Sequence, residues 1–191
     1  MNPPSQLIFQ WPELPPLPPV GQPVLIRVVT PVARPAARQE LRAALRQVLT
    51  TWSGLALEQL PLGESPRGPQ WQGLLAGHPL DFSLSYCDGE GWIGLIRSGA
   101  IGVDAMSVQP IAEAEAVACH YLGLNALVSI RQSCQPAQAF ALAWTKLEAR
   151  LKCLKLELTE WNANRTATSA NYSSREILFD HRTAIAVVTS G

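Results

Sequence analysis

The chain has 191 residues, 15 basic against 15 acidic side chains, and 47% hydrophobic residues. That length suffices for one large domain or two small lobes with a packed interior, and the apolar share makes a folded chain rather than disorder the expectation. A net charge of zero argues against a protein whose main task is to coat nucleic acid, while leaving room for a local basic pocket that holds a phosphorylated small molecule.

The opening MNPPSQLIFQWPELPPLPP lacks the basic and apolar regions of a secretory signal, and no run of about 18 apolar residues suggests a membrane span. The four cysteines, Cys87, Cys119, Cys134 and Cys153, contain no close pair, which predicts reduced thiols in a cytoplasmic protein. The histidines, His78, His120 and His181, fall at no ligand-like spacing, so a zinc site is not expected.

In chain order, residues 1–23 are rich in proline, which removes a backbone donor and fixes φ, so an extended segment is expected rather than a helix. PVLIRVVTP (23–31) reads as a buried strand. RQELRAALRQVLTTW (38–52) places Leu41, Leu45, Val48 and Trp52 on one stripe of a helix. GESPRGPQWQG (63–73) is dense in glycine and proline and predicts a loop. LDFSLSYC and GWIGLIRSG form a hairpin across Asp88–Gly91.

The same order then recurs. AIGVDAMSV (100–108) is a strand, PIAEAEAVACHYLG (110–123) is one helix closed by Gly123, and Arg131 is expected in a loop between two helices. The helical pattern resumes over 135–161, and REILFDHRTAIAVVTS closes the chain as a hairpin turning at Asp180–Arg182. Two rounds of strand, helix and hairpin predict an α+β fold of two similar, pseudo-twofold lobes, 24–98 and 99–191, behind the extension 1–23. The hinge is expected near Ser98–Ala100.

Three residues could carry chemistry together. Asp104 ends an apolar strand. Glu148 and Lys152 stand one helical turn apart, on the same stripe as Trp144, which is expected to be a core anchor like Trp52, Trp71 and Trp92. Glu148 and Lys152 alone amount to a surface ion pair worth about 0.2–0.5 kcal/mol. Two carboxylates facing each other with a lysine beside them would suit Mg²⁺ and a pyrophosphate, because Mg²⁺ is usually held by one or two carboxylates plus water and substrate phosphate. His120, Glu113 and Glu115 sit where the helix dipole alone accounts for their charge.

FSLSYC (82–87), IGVDAM (101–106) and WTKLEARLK (144–152) occur in the order and rough separation of three motifs of the Sfp-type 4′-phosphopantetheinyl transferases, usually F-N-(I/L)-S-H-S, (I/V)-G-(I/V)-D-(I/V)-E and W-(S/C/T)-x-K-E-(A/S)-x-x-K. RQELRAALRQVL resembles that family's first helix, RGPQW its G-K-P loop, and QPI…ACHYLG the segment after its second motif, so the resemblance extends from about residue 24 to the end. It implies a monomeric, two-lobed enzyme whose lobes form the coenzyme A cleft. Such an enzyme moves phosphopantetheine from coenzyme A to a serine of an acyl or peptidyl carrier protein and releases adenosine 3′,5′-bisphosphate. Nucleic acid and membrane are not among the expected partners.

By the same resemblance Asp104 and Glu148 would hold Mg²⁺, or Mn²⁺, and Glu148 would help deprotonate the serine. Lys152 would steady the pyrophosphate. Ser85 and Tyr86 would meet a coenzyme A phosphate, and Arg38, with Arg34 and Arg67 by position, would meet the 3′-phosphate. Three positions depart from the pattern: Met106 stands for an acid, Tyr86 for a histidine and Leu147 for a lysine, with Lys146 one residue earlier. Two readings therefore stay open: an active transferase, and a weakened or inactive protein of the same fold that binds coenzyme A or a carrier protein.

Overall fold

The computed structural model describes residues 8–65, 68–161 and 172–190. Arg67 lies outside the described residues. The chain is a mixed α+β protein that divides into two compact units, the first running to Ile101 and the second spanning Gly102–Ser190.

In the first unit, β1 (Ile8–Gln10) pairs in parallel with β2 (Val24–Val29). The proline-rich residues between them lie against the body. The Pro15 carbonyl accepts the Trp52 indole N–H at 2.8 Å, and the Pro18 carbonyl accepts the Arg97 guanidinium. Leu14 and Leu17 join the core from this segment. Proline thus excludes helix while leaving carbonyls and apolar rings free to dock.

Helix α1 runs Arg34–Ser53, one turn longer at its start than the predicted 38–52, because Pro35 is pre-set for a first-turn position. It stops at Gly54, whose left-handed φ of 70° lets its N–H close on the Thr50 carbonyl. Leu41, Leu45 and Val48 are buried against Ile26, Ile93 and Leu95, with Trp52 partly buried at the edge.

The predicted loop at 63–73 is instead mostly a short hairpin, β3 (Leu62–Ser65) with β4 (Gly68–Trp71). Gly63, Gly68 and Pro69 lie within these strands rather than abolishing them. After β5 (Leu74–Leu75) come β6 (His78–Cys87) and β7 (Glu90–Arg97), joined at Asp88 and Gly89, both at positive φ as a tight hairpin turn requires. The five strands lie in the order β1-β2-β7-β6-β5.

In the second unit, β8 (Ala100–Ser107), which enters it at Gly102, and the hairpin of β9 (Tyr172–Phe179) and β10 (Thr183–Ser190) form a sheet in the order β8-β10-β9. In both units the strand before the helices pairs with the last strand of the closing hairpin.

The helical part differs from expectation in three ways. Residues 110–123 are not one helix: a single turn, α2 (Ala114–Val117), widens into a π-helical turn over Ala118–Leu122 and ends at Gly123. Residues Leu124–Gln132 form a further helix, α3. Arg131 is therefore in the last turn of a helix, not in a loop, and pairs with Glu115 at 2.5 Å. Finally, α4 covers Pro136–Leu154 and not the whole of 135–161, since Lys155 turns left-handed (φ 55°) and the Leu156 N–H returns to the Leu151 carbonyl. A lysine in that position carries none of the residue-type signal that a glycine would.

Helix α4 lies on β10 and β9, tied by the Lys146–Glu176 ion pair at 2.7 Å and by Arg150 over the Tyr172 ring. Among the described residues no helix is long and apolar enough to cross a membrane.

Candidate functional site

Two groups of polar side chains stand out, one in each unit. In the second unit, Gly102 sets the geometry. A Cβ at this position would fall 1.8 Å from the Ala149 carbonyl oxygen and 2.5 Å from the Cys153 N, so β8 touches the backbone of α4. The face of α4 turned to it is small: Thr145, Ala149 and Cys153 are all buried. Side chains alternate along a strand, so Asp104 and Met106 share the face of Gly102.

Asp104 consequently meets the polar flank of the helix. The Lys152 ammonium donates to Asp104 Oδ1 at 2.7 Å and to the Val103 carbonyl at 3.0 Å. The carboxylate side chain is 13% exposed and the lysine side chain 32%. Glu148, partly buried one turn before Lys152, lies within electrostatic range of both. Burial raises its pKa, the Asp104 charge raises it further, and Lys152 pulls it back; the net direction is upward.

A carboxyl raised in this way takes up a proton in the native state before it does in the unfolded state. Between the ordinary carboxylate value and the raised native value, falling pH stabilises the fold, and that contribution is lost as pH rises through the native value. Glu148→Gln, which cannot ionise, is expected to melt on the order of 2 °C higher than the parent at about pH 8, with the difference shrinking toward about pH 5. Thermal melts at the two pH values check this; a glutamine variant that melts lower at the alkaline one contradicts the burial of a charged Glu148.

Met106, at the position of the acid in the resembled motif, packs against an apolar cluster of Ala118, Leu127, Ile130 and Phe140. Trp144 joins the same cluster, stacked on Phe140 at 6.1 Å and edge-on to Tyr121 at 5.8 Å. The Trp144–Glu148–Lys152 stripe is therefore apolar at its start and ionic at its end. Lys146 is bound to Glu176 and stays apart from this group.

The donor set bears on the metal that the resemblance implies. Two carboxylates supply hard oxygen, whereas the Met106 thioether does not suit Mg²⁺. Among the described residues no group of three or more His, Cys, Asp or Glu could hold an ion by itself. The residues fit a Mg²⁺ or Mn²⁺ completed by water and substrate phosphate, and do not form a closed cage.

In the first unit, Tyr86 ends the face of β6 that carries Phe82 and Leu84 toward the core under α1. Gly91, its cross-strand partner, leaves room for Leu41. The Tyr86 hydroxyl accepts hydrogen bonds from Arg34 Nε and, at 3.2 Å, from Arg38 Nε. Both guanidinium groups also stand over the ring, 5.1 and 5.6 Å from its centroid. Burial would raise the phenol pKa, but the two arginine hydrogen bonds and charges outweigh it and the net direction is downward. Tyr86 is expected to ionise below the usual value of about 10 in an ultraviolet titration, and that early step should vanish in Tyr86→Phe. An unchanged curve would disprove the arginine clamp.

Ser85 does not join this cluster. It is 5% exposed and, as the strand neighbour of Tyr86, faces the opposite side of the sheet. Two residues outside the motifs do join it: Arg42 and Arg46 continue the fourfold spacing of Arg34 and Arg38, and the four arginines with Pro35 and Gln39 line an open groove of about 450 Å³. Their i, i+4 spacing in the sequence was the available signal. The first turn of α1 contains no acidic residue, so its positive dipole end and the arginines reinforce one another.

No protein-family model matches the chain, and no curated protein matches it.

Proposed function

We propose that this protein is a 4′-phosphopantetheinyl transferase of the Sfp type, acting between coenzyme A and a serine of an acyl or peptidyl carrier protein. The observation that carries the reading is the close approach of Asp104, Glu148 and Lys152 in the second unit, from motifs more than forty residues apart in the chain. The shared order of strand, helix and hairpin in the two units supports the two-lobed architecture that the reading requires.

The reaction forms one P–O bond and breaks another. The carrier serine oxygen attacks the pantetheine-side phosphorus of the pyrophosphate, and adenosine 3′,5′-bisphosphate leaves. Glu148, whose carboxyl binds a proton more readily than an ordinary glutamate, is placed by this reading to take the serine proton, directly or through a water. Lys152 would transfer its ammonium from Asp104 to a pyrophosphate oxygen. Asp104 and Glu148 would hold Mg²⁺ or Mn²⁺, which when bound neutralises charge on the pyrophosphate. Arg34 and Arg38 supply the planar donors that suit a phosphate monoester, with Tyr86 between them.

The packing of Met106 into an apolar cluster favours a second reading, a protein of this fold that binds coenzyme A or a carrier without transfer. Intact mass of apo carrier proteins after incubation with the protein, coenzyme A and Mg²⁺ or Mn²⁺ decides between them. A gain of one phosphopantetheine group establishes the transferase. Coenzyme A binding by calorimetry with no mass gain across a panel of carriers establishes the second reading, and neither result refutes both.

A further inference from the structure

Resting on the transferase reading, the geometry points to Lys152 as a built-in counter-cation that makes metal and pyrophosphate bind this site only weakly apart and strongly together. The Asp104 side chain is only 13% exposed and its Oδ1 is already engaged by the ammonium at 2.7 Å. A second bond, to the Val103 carbonyl at 3.0 Å, holds that ammonium on the strand. A divalent ion approaching Asp104 alone would share its carboxylate with a fixed positive charge, and in a partly desolvated site that repulsion is poorly screened. With Met106 in place of an acid, no third carboxylate among the described residues completes a metal-holding group there.

A pyrophosphate changes both terms. Its oxygens offer the ammonium a new partner and complete the metal's shell. The lysine side chain, a third exposed, has room to leave Asp104 while its helix stays in place. Metal and pyrophosphate therefore bind with positive coupling, which by linkage is the same in either order. The ion pair keeps the empty site near neutrality and withholds the cation until the phosphate substrate arrives.

The test uses the full chain, Mn²⁺ and inorganic pyrophosphate, read by water proton relaxation, which separates protein-bound Mn²⁺ from its small pyrophosphate complex. The parent protein is expected to bind Mn²⁺ about tenfold or more tightly once pyrophosphate is present. Lys152→Met is expected to bind Mn²⁺ alone about tenfold more tightly than the parent, with a correspondingly smaller gain on adding pyrophosphate. Asp104→Asn should remove Mn²⁺ binding in both backgrounds. Measurable Mn²⁺ binding by the parent that is indifferent to pyrophosphate, or a Lys152→Met affinity no higher than the parent's, overturns the counter-cation role and leaves the transferase reading standing. Absence of Mn²⁺ binding in every arm removes the metal site itself and the inference with it. Should Lys152→Met fail to fold, Lys152→Gln, which also removes the charge, takes its place in the same comparison.

Discussion

Gly102→Ala is expected to destabilise the second unit by at least about 3 kcal/mol, the upper end of overpacking costs. The added methyl would lie 1.8 Å from the Ala149 carbonyl oxygen and 2.5 Å from the Cys153 backbone nitrogen. Both are backbone atoms in the last turns of α4, so no rotamer change relieves the contact and strand and helix must separate. Gly91→Ala makes the instructive comparison. Its methyl would meet the Leu41 Cδ1 at 2.6 Å, the far end of a flexible side chain, and a cost of about 1 kcal/mol is expected. Denaturant unfolding of the two variants checks the difference. Equal stabilities would mean that β8 and α4 do not meet at Gly102, and with that contact would go the approach of Asp104 to Lys152.

Asp104→Ala is expected to lower phosphopantetheine transfer about 10³-fold or more, with a change in melting temperature of only a few degrees. The two effects separate because Lys152, left without its carboxylate, is exposed enough to find water. The carboxylate, by contrast, is a largely buried oxygen donor for which Met106 offers no substitute. Transfer rates from carrier mass spectra, set against melting curves, check both halves. Undiminished transfer by a well-folded variant would eliminate the proposed role of Asp104. A collapse of stability to match the loss of rate would mark the residue as structural.

The site as it stands has one neutralised carboxylate and one that resists ionisation. That is a poor arrangement for holding a cation at rest and a serviceable one for a cation that arrives with phosphate. It also gives physical content to the departures from the family pattern. Met106 and Tyr86 are each integrated into their surroundings, the first by apolar packing and the second by two guanidinium groups. Exchanging either for the family residue would therefore disturb more than the site.

The amino-acid sequence by itself determined strands β2 and β8, helix α1, the start of α4 and the helix stripe that joins Trp144, Glu148 and Lys152, because hydrophobic periodicity and turn residues act over a few neighbours. It also specified the two hairpins, whose Asp88–Gly89 and Asp180–Arg182 turns lie where the polar residues interrupt the strands. It did not determine where helices end when the stopping residue is an ordinary one, as at Lys155, or that 124–132 would be a helix. There the winning terms are a returning backbone bond and burial of Leu127 and Ile130. The hairpin of β3 and β4 was hidden by the glycine and proline within its strands, which read as loop. The alternation of a strand was available to separate Ser85 from Tyr86, but the motif, read as a string, joined them. What only the tertiary structure decided is contact at long separation: Gly102 against α4, Asp104 against Lys152, and Tyr86 between Arg34 and Arg38. Local propensity carries no information about which distant backbone will approach, and that approach turns scattered charges into a candidate site.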